Sequence, residues 1–356
     1  MSSRIVVHSD PLELLRAIEK VPDADGVRTN HAVGFVVQAW TQGPATPPTD
    51  KAKRKPDDEA QVLVTVWQGE NLRLIFTKLD WSQCKIVSPM SPTQLAADAL
   101  PFIDPLANYL LTLAPFSANP SLLRSICGPQ VLVDAFLRHW PHARKPEASM
   151  HIVPASISVA PPFAPLPAGH SFERIREVDH LPQNDLDTIA DLQRDFFGNH
   201  ETSPKLSRDD AIAYLREAVP RSGMWIYRSP PSPSSTPVPV GFVTTGRPTL
   251  RTCAIRMVYV APSQRGKGLA KRMVSAVVRA HLIDAPRVPL DLASGRPPSA
   301  AEACEDQTRW GGKDEVCLFV EPDNPAARRA YASVGFIETE AVWCDADVEG
   351  IEPGHW

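Results

Sequence analysis

Proline limits what this chain can fold into more than any other residue does. The sequence has 37 prolines in 356 residues, about twice the usual share. Much of this proline falls in four clusters, at residues 41–60, 154–169, 229–239 and 286–314. Because proline lacks an amide proton and restricts the residue before it, such clusters cannot continue a helix or an inner strand. They predict loops or linkers.

The length of the chain favours two domains, each large enough to bury its own core. The proline cluster at 154–170 separates two halves that each have their own apolar periodicity, so we place a linker there. The predicted organisation is a mixed α/β domain over 1–153 and a second domain over 171–356. The clusters at 229–239 and 286–314 are interpreted as insertions within the second domain.

The composition excludes several classes of protein. Hydrophobic residues make up 43% and charged residues 22% of the chain, and the net charge is −4, which predicts a folded, water-soluble protein with no nucleic-acid partner. Six scattered cysteines form no CxxC pattern, so we expect neither a metal site nor a disulfide framework. No apolar run is long enough to span a membrane, and we expect a cytoplasmic protein without a membrane partner. A basic run at 51–55 also fits nuclear import, although such runs are usually just solvated. The sequence does not indicate an oligomeric state.

The N-terminal half has mixed signals and no recognisable site. Asp10 and Pro11 predict the start of a short helix. Runs at 31–40, 61–68 and 72–77 are rich in β-forming residues, and the last two predict a hairpin. An amphipathic helix is predicted at 130–140.

The C-terminal half predicts the element order βααβββαβαβ. Ser207 and Asp210 resemble a capping box at the start of its second helix. A strand at 252–260 precedes a helix from about residue 268, and a strand at 315–320 precedes a helix that begins at Pro325. A final strand is predicted at 336–344. Together with the first half, the fold class is α/β with a mixed sheet.

The most informative segment is 257–273, MVYVAPSQRGKGLAKRM. A short apolar strand turns through a glycine-containing loop into an amphipathic helix. Glycines let backbone amides approach an anion closely, and the free amides and dipole of a helix N-terminus favour negative charge. Neither GxxxxGK[ST] nor GxGxxG is present, so this is not a P-loop or a dinucleotide fingerprint. The pattern predicts a phosphate-binding turn, with a solvated strand–turn–helix junction as the alternative.

Two linked motifs resemble those of the GCN5-related N-acetyltransferase (GNAT) superfamily. Arg265-x-x-Gly268-x-Ala270 is similar to the family's [RQ]-x-x-G-x-[GA]. Downstream, NPAARRAYASVGF at 324–336 is similar to N-x-x-A-x-x-x-Y-x-x-x-G-F. The resemblance covers residues 171–345, about half of the chain. The first half resembles, more loosely, the degenerate N-terminal lobes of two-lobed acyltransferases, including the glycine acyltransferase-like group.

This resemblance implies a GNAT fold and acetyl-CoA as co-substrate, with no metal. It implies that backbone amides hold the pyrophosphate and that two strands separate beyond Val260 and Val320, so that pantetheine pairs with the exposed edge. Asn324 would cap its helix and could bond the pantetheine. The implied cofactor-binding residues are Val258, Val260, Arg265, Gly266, Lys267, Gly268, Leu269, Ala270, Lys271 and Asn324.

Acyl transfer needs a neutral amine, stabilisation of an oxyanion and a proton for the departing thiolate. The resemblance implies that an amide near Val258 faces the oxyanion and that Tyr331 protonates the sulfur. No motif fixes the base, for which Glu321 and Tyr259 are candidates and a water chain would also serve. The segment 195–198, DFFG, is a candidate for the acceptor pocket.

The sequence therefore predicts an acyl-CoA-dependent N-acyltransferase. We expect it to transfer acetyl to a primary amine of a small molecule or amino-acid-like acceptor by direct attack. A protein acceptor, at lysine or an N-terminus, is the alternative within enzymes. A non-catalytic acyl-CoA-binding or scaffold protein is the alternative from another class.

Overall fold

A computed structural model of the chain describes residues 3–42, 60–79, 83–141, 148–198, 206–221, 223–232, 234–284, 292–295, 312–339 and 341–348. These residues form one mixed sheet of thirteen strands flanked by helices on both faces. The predicted mixed α/β class is confirmed. The basic run at 51–55 and most of the predicted insertion at 286–314 lie outside the described residues.

The strands are short and mostly buried. In chain order they are β1 Ser3–His8, β2 Val62–Gln68, β3 Asn71–Lys78, β4 Cys84–Val87, β5 Ser125–Pro129, β6 Ala148–Ile157, β7 Ser171–Ile175, β8 Gly223–Ser229, β9 Val238–Gly246, β10 Thr252–Val260, β11 Glu315–Val320, β12 Ile337–Glu338 and β13 Trp343–Asp347.

The helices pack their apolar faces on this sheet. In chain order they are α1 Pro11–Ile18, α2 Asn30–Gln42, α3 Pro92–Gln94, α4 Ile103–Leu110, α5 Gln130–His139, α6 Gln183–Gly198, α7 Arg208–Arg221, α8 Leu269–Arg279 and α9 Pro325–Val334. The predicted caps are confirmed: the Asp10 side chain accepts a hydrogen bond from the Glu13 amide, and Ser207 and Asp210 bond reciprocally.

The described chain folds as two lobes with the same topology. In the N-terminal lobe the strand order is β1-β2-β3-β4-β5, and in the C-terminal lobe it is β7-β8-β9-β10-β11. Two helices follow the first strand of each lobe, and the fourth and fifth strands pair in parallel in both. The two halves of the chain therefore repeat one fold.

The last strands cross between the lobes. Residues 153–157 of β6 pair with β11 of the C-terminal lobe, although β6 directly follows the helices of the N-terminal lobe. Strand β13, near the C-terminus, lies between β5 and β6 and completes the N-terminal lobe. Each lobe thus borrows a strand from the other half of the sequence. The predicted linker begins four residues too early, because residues 154–157 belong to β6, and the predicted strand at 336–344 is instead β12 and β13.

The predicted strand at 31–40 is wrong, because these residues form the helix α2. The segment is rich in valine, which favours strands. Its buried residues Ala32, Val33, Val36 and Val37, however, have helical spacing. The helix also packs closely on the other lobe: a Cβ atom on Gly34 would lie 2.6 Å from the Arg247 carbonyl oxygen. A tertiary contact therefore overrides local propensity here.

The lobes meet where the segment between α1 and α2 contacts the β9–β10 turn. The Asn30 side-chain amide donates to the Arg247 carbonyl and to the Thr252 hydroxyl, both at 2.8 Å. The Asp25 carboxylate accepts a hydrogen bond from the Arg251 amide at 3.1 Å. These polar contacts fix α2 beside the start of β10. The predicted insertion at 229–239 overlaps the end of β8 and the start of β9, and the two strands are connected through residues 230–237.

Candidate active site

The site begins where β10 turns into α8. The strand ends at Val260, a short 3-10 turn spans Pro262–Gln264, and α8 begins at Leu269. Leu269, Met273 and Val277 are buried and anchor the inner face of the helix. Residues 265–268, which connect the 3-10 turn to α8, are exposed. The turn therefore faces solvent, while the core holds the helix that follows it.

Two glycines give this turn its shape. Gly266 has φ +77° and Gly268 has φ +74°, a left-handed region that other residues adopt at a cost of about 1–2 kcal/mol. A Cβ atom at either position would meet nothing within 4 Å. The glycines are therefore required by the backbone conformation, and the space in front of them is open.

The turn presents a run of unpaired amides. Within the described chain, the amides of residues 266–271 have no hydrogen-bond acceptor, and the Arg272 amide is the first that bonds back, to the Gly268 carbonyl at 3.2 Å. The first amides of a helix have no partner within the helix. With the helix dipole, they make this turn able to bind an anion such as a pyrophosphate.

The basic side chains at the turn differ in their availability. The Arg265 Nε atom donates to the Val260 carbonyl at 3.1 Å, and its guanidinium lies 5.5 Å from the centre of the Tyr259 ring. The Lys267 ammonium donates to the Gln264 side chain at 2.7 Å. Lys271 is exposed and makes no hydrogen bond or ion pair in the described part of the chain. Arg265 thus braces the turn, and Lys271 is the free cation beside it.

The parallel pair formed by β10 and β11 separates earlier than predicted. Pairing extends only to Ile255 and Leu318, rather than to Val260 and Val320. A β-bulge at Arg256 in β10 marks the point of separation. Because bulges bend a strand and increase its twist, the bulge turns the second half of β10 away from β11. The opening is therefore deeper than the motifs imply.

Among the described residues, the second half of β10 pairs only with β9, and its edge on the side of β11 is free. The Ala261 amide bonds to the Val240 carbonyl of β9, at 2.9 Å. Since bonding direction alternates along an antiparallel strand, the backbone groups of Val258 and Val260 point toward the opening. The Val260 carbonyl is taken by Arg265, as described above. The amides of Val258 and Val260 and the Val258 carbonyl can therefore pair with an extended ligand.

Asn324 caps helix α9. Its side-chain oxygen accepts a hydrogen bond from the Ala327 amide at 3.0 Å. The side chain is exposed, and no described residue accepts a hydrogen bond from its NH₂ group. The capping role is thus seen directly, and the NH₂ group is left to bond a ligand.

Tyr331 lies on α9, which packs on α8. The ring is half-buried against the core of the C-terminal lobe and lies 6.1 Å from the Phe336 ring, centre to centre. Gly335 ends the helix with φ +115° and brings Phe336 back onto Tyr331. Burial raises the pKa of Tyr331 to about 12, so the phenol keeps its proton at neutral pH.

The other candidates differ in position. Glu321 directly follows β11 and is half-buried. Tyr259 is 5% exposed, and its ring packs with Phe196 and Phe242 under α6, so its ring is a core element. In the predicted acceptor segment, Phe196 packs on that cluster and Phe197 on Tyr214. The two phenylalanines are therefore half-buried packing residues.

Sequence reasoning missed three polar residues near the opening: Gln193, Arg247 and Arg256. The Gln193 side chain is fully buried, and its Nε2 atom lies 3.6 Å from the Met257 sulfur. Its Oε1 atom has no partner in the described chain. No sequence motif marks these residues. Burial distinguishes Gln193 and Arg247 from other polar residues, and it can be recognised only once the fold is known.

The described residues contain no group of metal-ligating side chains and no helix that could span a membrane. A groove of about 640 Å³ lies between the lobes at the other end of β11, where it is lined by Asp23, Glu315 and Gly335 among others. It lies away from the glycine turn.

Comparison with known proteins fits this geometry. Residues 186–285 match the family model described as "Acetyltransferase (GNAT) family". No curated protein matches the sequence at a significant level.

Among solved structures, a protein from Drosophila covers 98% of this chain and 99% of its own at 12% identity, with a TM-score of 0.55. This likeness shows a shared fold across both lobes. A "tandem GNAT protein from the clavulanic acid biosynthesis pathway" is 12% identical and covers 99% and 100%, with a TM-score of 0.43. A GCN5-related N-acetyltransferase from Sphaerobacter thermophilus is 14% identical and covers 99% and 97%, with a TM-score of 0.47.

The separated parallel pair, the glycine turn and the family match define the fold of an acetyltransferase. The C-terminal lobe belongs to the GNAT superfamily, and the N-terminal lobe repeats its topology.

Proposed function

We propose that the chain is an acetyl-CoA-dependent N-acetyltransferase that acts on a primary amine of a small molecule or an amino-acid-like acceptor. The observation that carries this proposal is the open run of unpaired amides at residues 266–271, next to a strand edge that is free to pair. A pyrophosphate fits the first feature, and the amide groups of a pantetheine arm fit the second.

The residues named above divide the work of binding. The amides of residues 266–271 hold the pyrophosphate, and Lys271 adds a positive charge. Val258 and Val260 pair with the pantetheine through their backbone groups, and the Asn324 NH₂ group donates to it. Arg265 and Leu269 keep the turn and helix in place. The thioester then lies near the bulge, where β10 and β11 separate.

In the transfer, the nitrogen of a neutral amine forms a bond to the thioester carbonyl carbon. The Val258 amide donates a hydrogen bond to the resulting oxyanion. A fixed donor is most effective at the atom where negative charge develops. The C–S bond then breaks, the nitrogen loses a proton, and the thiolate gains one from the Tyr331 phenol. Tyr331 is reprotonated by the proton released from the amine, through Glu321 or water, so that the products are the N-acetyl amine and CoA thiol.

The test combines binding with turnover. Titration calorimetry with CoA is expected to show one site per chain, and acetyl-CoA with a panel of primary amines is expected to release thiol. The variant Arg216→Gln, on the exposed face of α7, is a control for loss of a surface charge. It should retain both CoA binding and thiol release.

The outcome also separates the alternatives. Turnover on histone or other lysine peptides, with none on small amines, would replace the small acceptor by a protein. Binding of CoA without turnover on any amine would favour a non-catalytic acyl-CoA-binding protein. Absence of CoA binding by a folded chain would refute the proposal altogether.

A further inference from the structure

Positive charge is buried where the two lobes meet. Arg247, in the β9–β10 turn, is 5% exposed. Its Nη1 atom donates to Nδ1 of His31 in α2 at 2.6 Å, and its guanidinium carbon lies 4.8 Å from the centre of the Phe319 ring. Its Nε atom is buried without a partner in the described chain. No described carboxylate forms an ion pair with this side chain.

Two more cations, Lys85 and Arg256, lie with Arg247 around the ring of Phe35. The ring of Phe35, in α2, has the Lys85 ammonium 4.5 Å from its centre, the Arg247 guanidinium carbon at 5.8 Å and that of Arg256 at 6.0 Å. Lys85 is buried and donates to the Gln83 carbonyl at 2.8 Å. Arg256 is exposed and forms no ion pair or hydrogen bond in the described residues. We call Lys85, Arg247 and Arg256 the cationic cluster.

Acidic side chains do not balance the cationic cluster. Burial and the neighbouring Arg256 lower the pKa of Arg247 to about 10. Burial lowers the pKa of Lys85 to about 8 and raises that of the nearby Asp345 to about 7, so Asp345 offsets the charge of Lys85 only in part. Aromatic faces stabilise a cation by only about 1–2 kcal/mol, less than the cost of burying it. Among the described residues, no carboxylate forms an ion pair with Arg247 or Arg256, so an anion from outside the chain would supply the missing charge.

The position of the cationic cluster indicates which ligand would bring that anion. Arg256 is the bulge residue at which β10 leaves β11, and Phe319 is the residue after the last parallel pair. Phe319 packs with α2, whereas its neighbour Val320 packs with α8. The cluster therefore lies on the face opposite α8, beside the point at which β10 and β11 separate.

We propose that the cationic cluster is an acceptor subsite and that the acceptor carries an oxyanion group, namely a carboxylate, close to its amine. This inference rests on the proposed function. Arg247 and Arg256 hold the carboxylate, and the amine points toward the opening between β10 and β11. The same positive field disfavours the ammonium form of the acceptor, so the cluster also increases the share of neutral amine that can attack. Lys85 and His31 keep Phe35 and Arg247 in position.

The test uses acceptors matched in shape and different in charge. Alanine and alaninamide differ in the carboxylate, and O-phosphoethanolamine and ethanolamine differ in a phosphate. We expect kcat/KM for alanine to exceed that for alaninamide by at least about 10-fold, the size of one charge-assisted hydrogen bond. This order is the reverse of intrinsic reactivity, since alaninamide has more neutral amine at pH 7. A preference for O-phosphoethanolamine over alanine would show that the oxyanion is a phosphate and overturn the carboxylate assignment.

Arg256→Gln tests the residue, because Arg256 is exposed and its loss leaves the core intact. The variant should raise KM for alanine at least about 10-fold more than KM for alaninamide, and CoA affinity should not change. Arg216→Gln is the control for loss of one arginine. Equal use of alanine and alaninamide by the unmodified protein, or an equal effect of Arg256→Gln on both, would overturn the subsite.

A binding measurement separates this inference from the proposed function. N-acetylalanine, the expected product, should bind the unmodified protein in the presence of CoA, and Arg256→Gln should weaken that binding. If no amine is acetylated but this difference is found, the anion subsite stands and the proposed transfer fails. If amines are acetylated but N-acetylalanine binds both proteins equally, the subsite is wrong and the transfer stands.

Discussion

The two lobes repeat one topology, yet their strand–helix junctions differ in almost every chemical detail. In the C-terminal lobe, β10 passes through Gly266 and Gly268 into a long helix with free amides. In the N-terminal lobe, β4 passes through Ser88 and Pro89 into α3, which continues through a π turn and a 3-10 turn into α4. Ser91 and Gln94 there form a capping box, so the helix start is already occupied by the chain's own side chains.

The parallel pairs differ as well. Beyond its last pair with β11, at Ile255, β10 continues for five residues with a free edge. Strand β4 continues for only two residues beyond Lys85, both fully buried. A Cβ atom on Gly128 would collide with the Ile86 carbonyl oxygen, so the backbones of β4 and β5 stay in contact. A shared fold is therefore not enough to form the candidate CoA site. The site also needs an unpaired strand edge and free amides at the start of the helix.

The largest expected effect tests whether the lobes are separate units. Deletion of residues 341–356 removes β13, whose Trp343 and Cys344 are buried in the N-terminal lobe. Loss of one buried tryptophan alone costs about 3–5 kcal/mol, a large part of the 5–15 kcal/mol that stabilises a typical domain. We expect an insoluble or unfolded chain, measured by circular dichroism and thermal melting. Deletion of residues 349–356, which keeps β13, is the control. A cooperative melt within about 5 °C of the full chain would show that the exchanged strand is dispensable.

The next prediction contrasts the two junctions directly. Gly268→Asp combines a strained φ with a carboxylate placed among the amides, and should weaken CoA binding by roughly 100-fold or more. Ser91→Asp, at the corresponding helix start of the N-terminal lobe, replaces one good cap by another and should leave CoA affinity unchanged. Calorimetry on both variants, with melting curves to confirm folding, measures the contrast. Equal effects at the two junctions would contradict the assignment of the site to the C-terminal lobe.

A smaller effect is expected at the proton donor. Tyr331→Phe should lower kcat at least about 10-fold, as loss of a general acid does, with little change in CoA affinity. Because the pKa of Tyr331 is raised to about 12, its phenol stays protonated across the working range, and kcat should show no alkaline fall up to about pH 10. Tyr109→Phe, on α4 of the N-terminal lobe, should have no effect. An unchanged kcat in Tyr331→Phe would return Tyr331 to a packing role.

The smallest effect concerns the closed junction of the N-terminal lobe, where Asp345 lies beside Gln83 and Lys85. Burial raises the pKa of Asp345 to about 7 in the folded protein, above its value in the unfolded chain. The native state therefore holds the proton more tightly, and stability falls as pH rises from about 4 to 7. Asp345→Asn should remove this loss of stability. The melting temperature of the variant should equal that of the unmodified protein near pH 4 and exceed it by several degrees at pH 8. Parallel melting curves across this range would contradict the buried, protonated carboxyl.

The sequence predicts the second lobe far better than the first. The spacing of Arg265, Gly268 and Ala270 indicates the turn, because the residues that set its backbone conformation and those that bind an anion lie in one short segment. Asn324 and Gly335 mark the two ends of α9 for the same reason. The strand exchange could not be predicted, since it depends on pairing between β13 and β5, which lie more than 200 residues apart. Nor could the cationic cluster, because Lys85 in β4 and the two arginines of the β9–β10 hairpin meet only around Phe35 of α2.

The exchange of strands also bears on how the protein is made. Because β5 needs β13 as a neighbour, the first half of the polypeptide is still incomplete when the ribosome has finished most of the second. A translation product that stops before β13 would therefore expose the edges of β5 and β6, which chaperones and proteases can recognise.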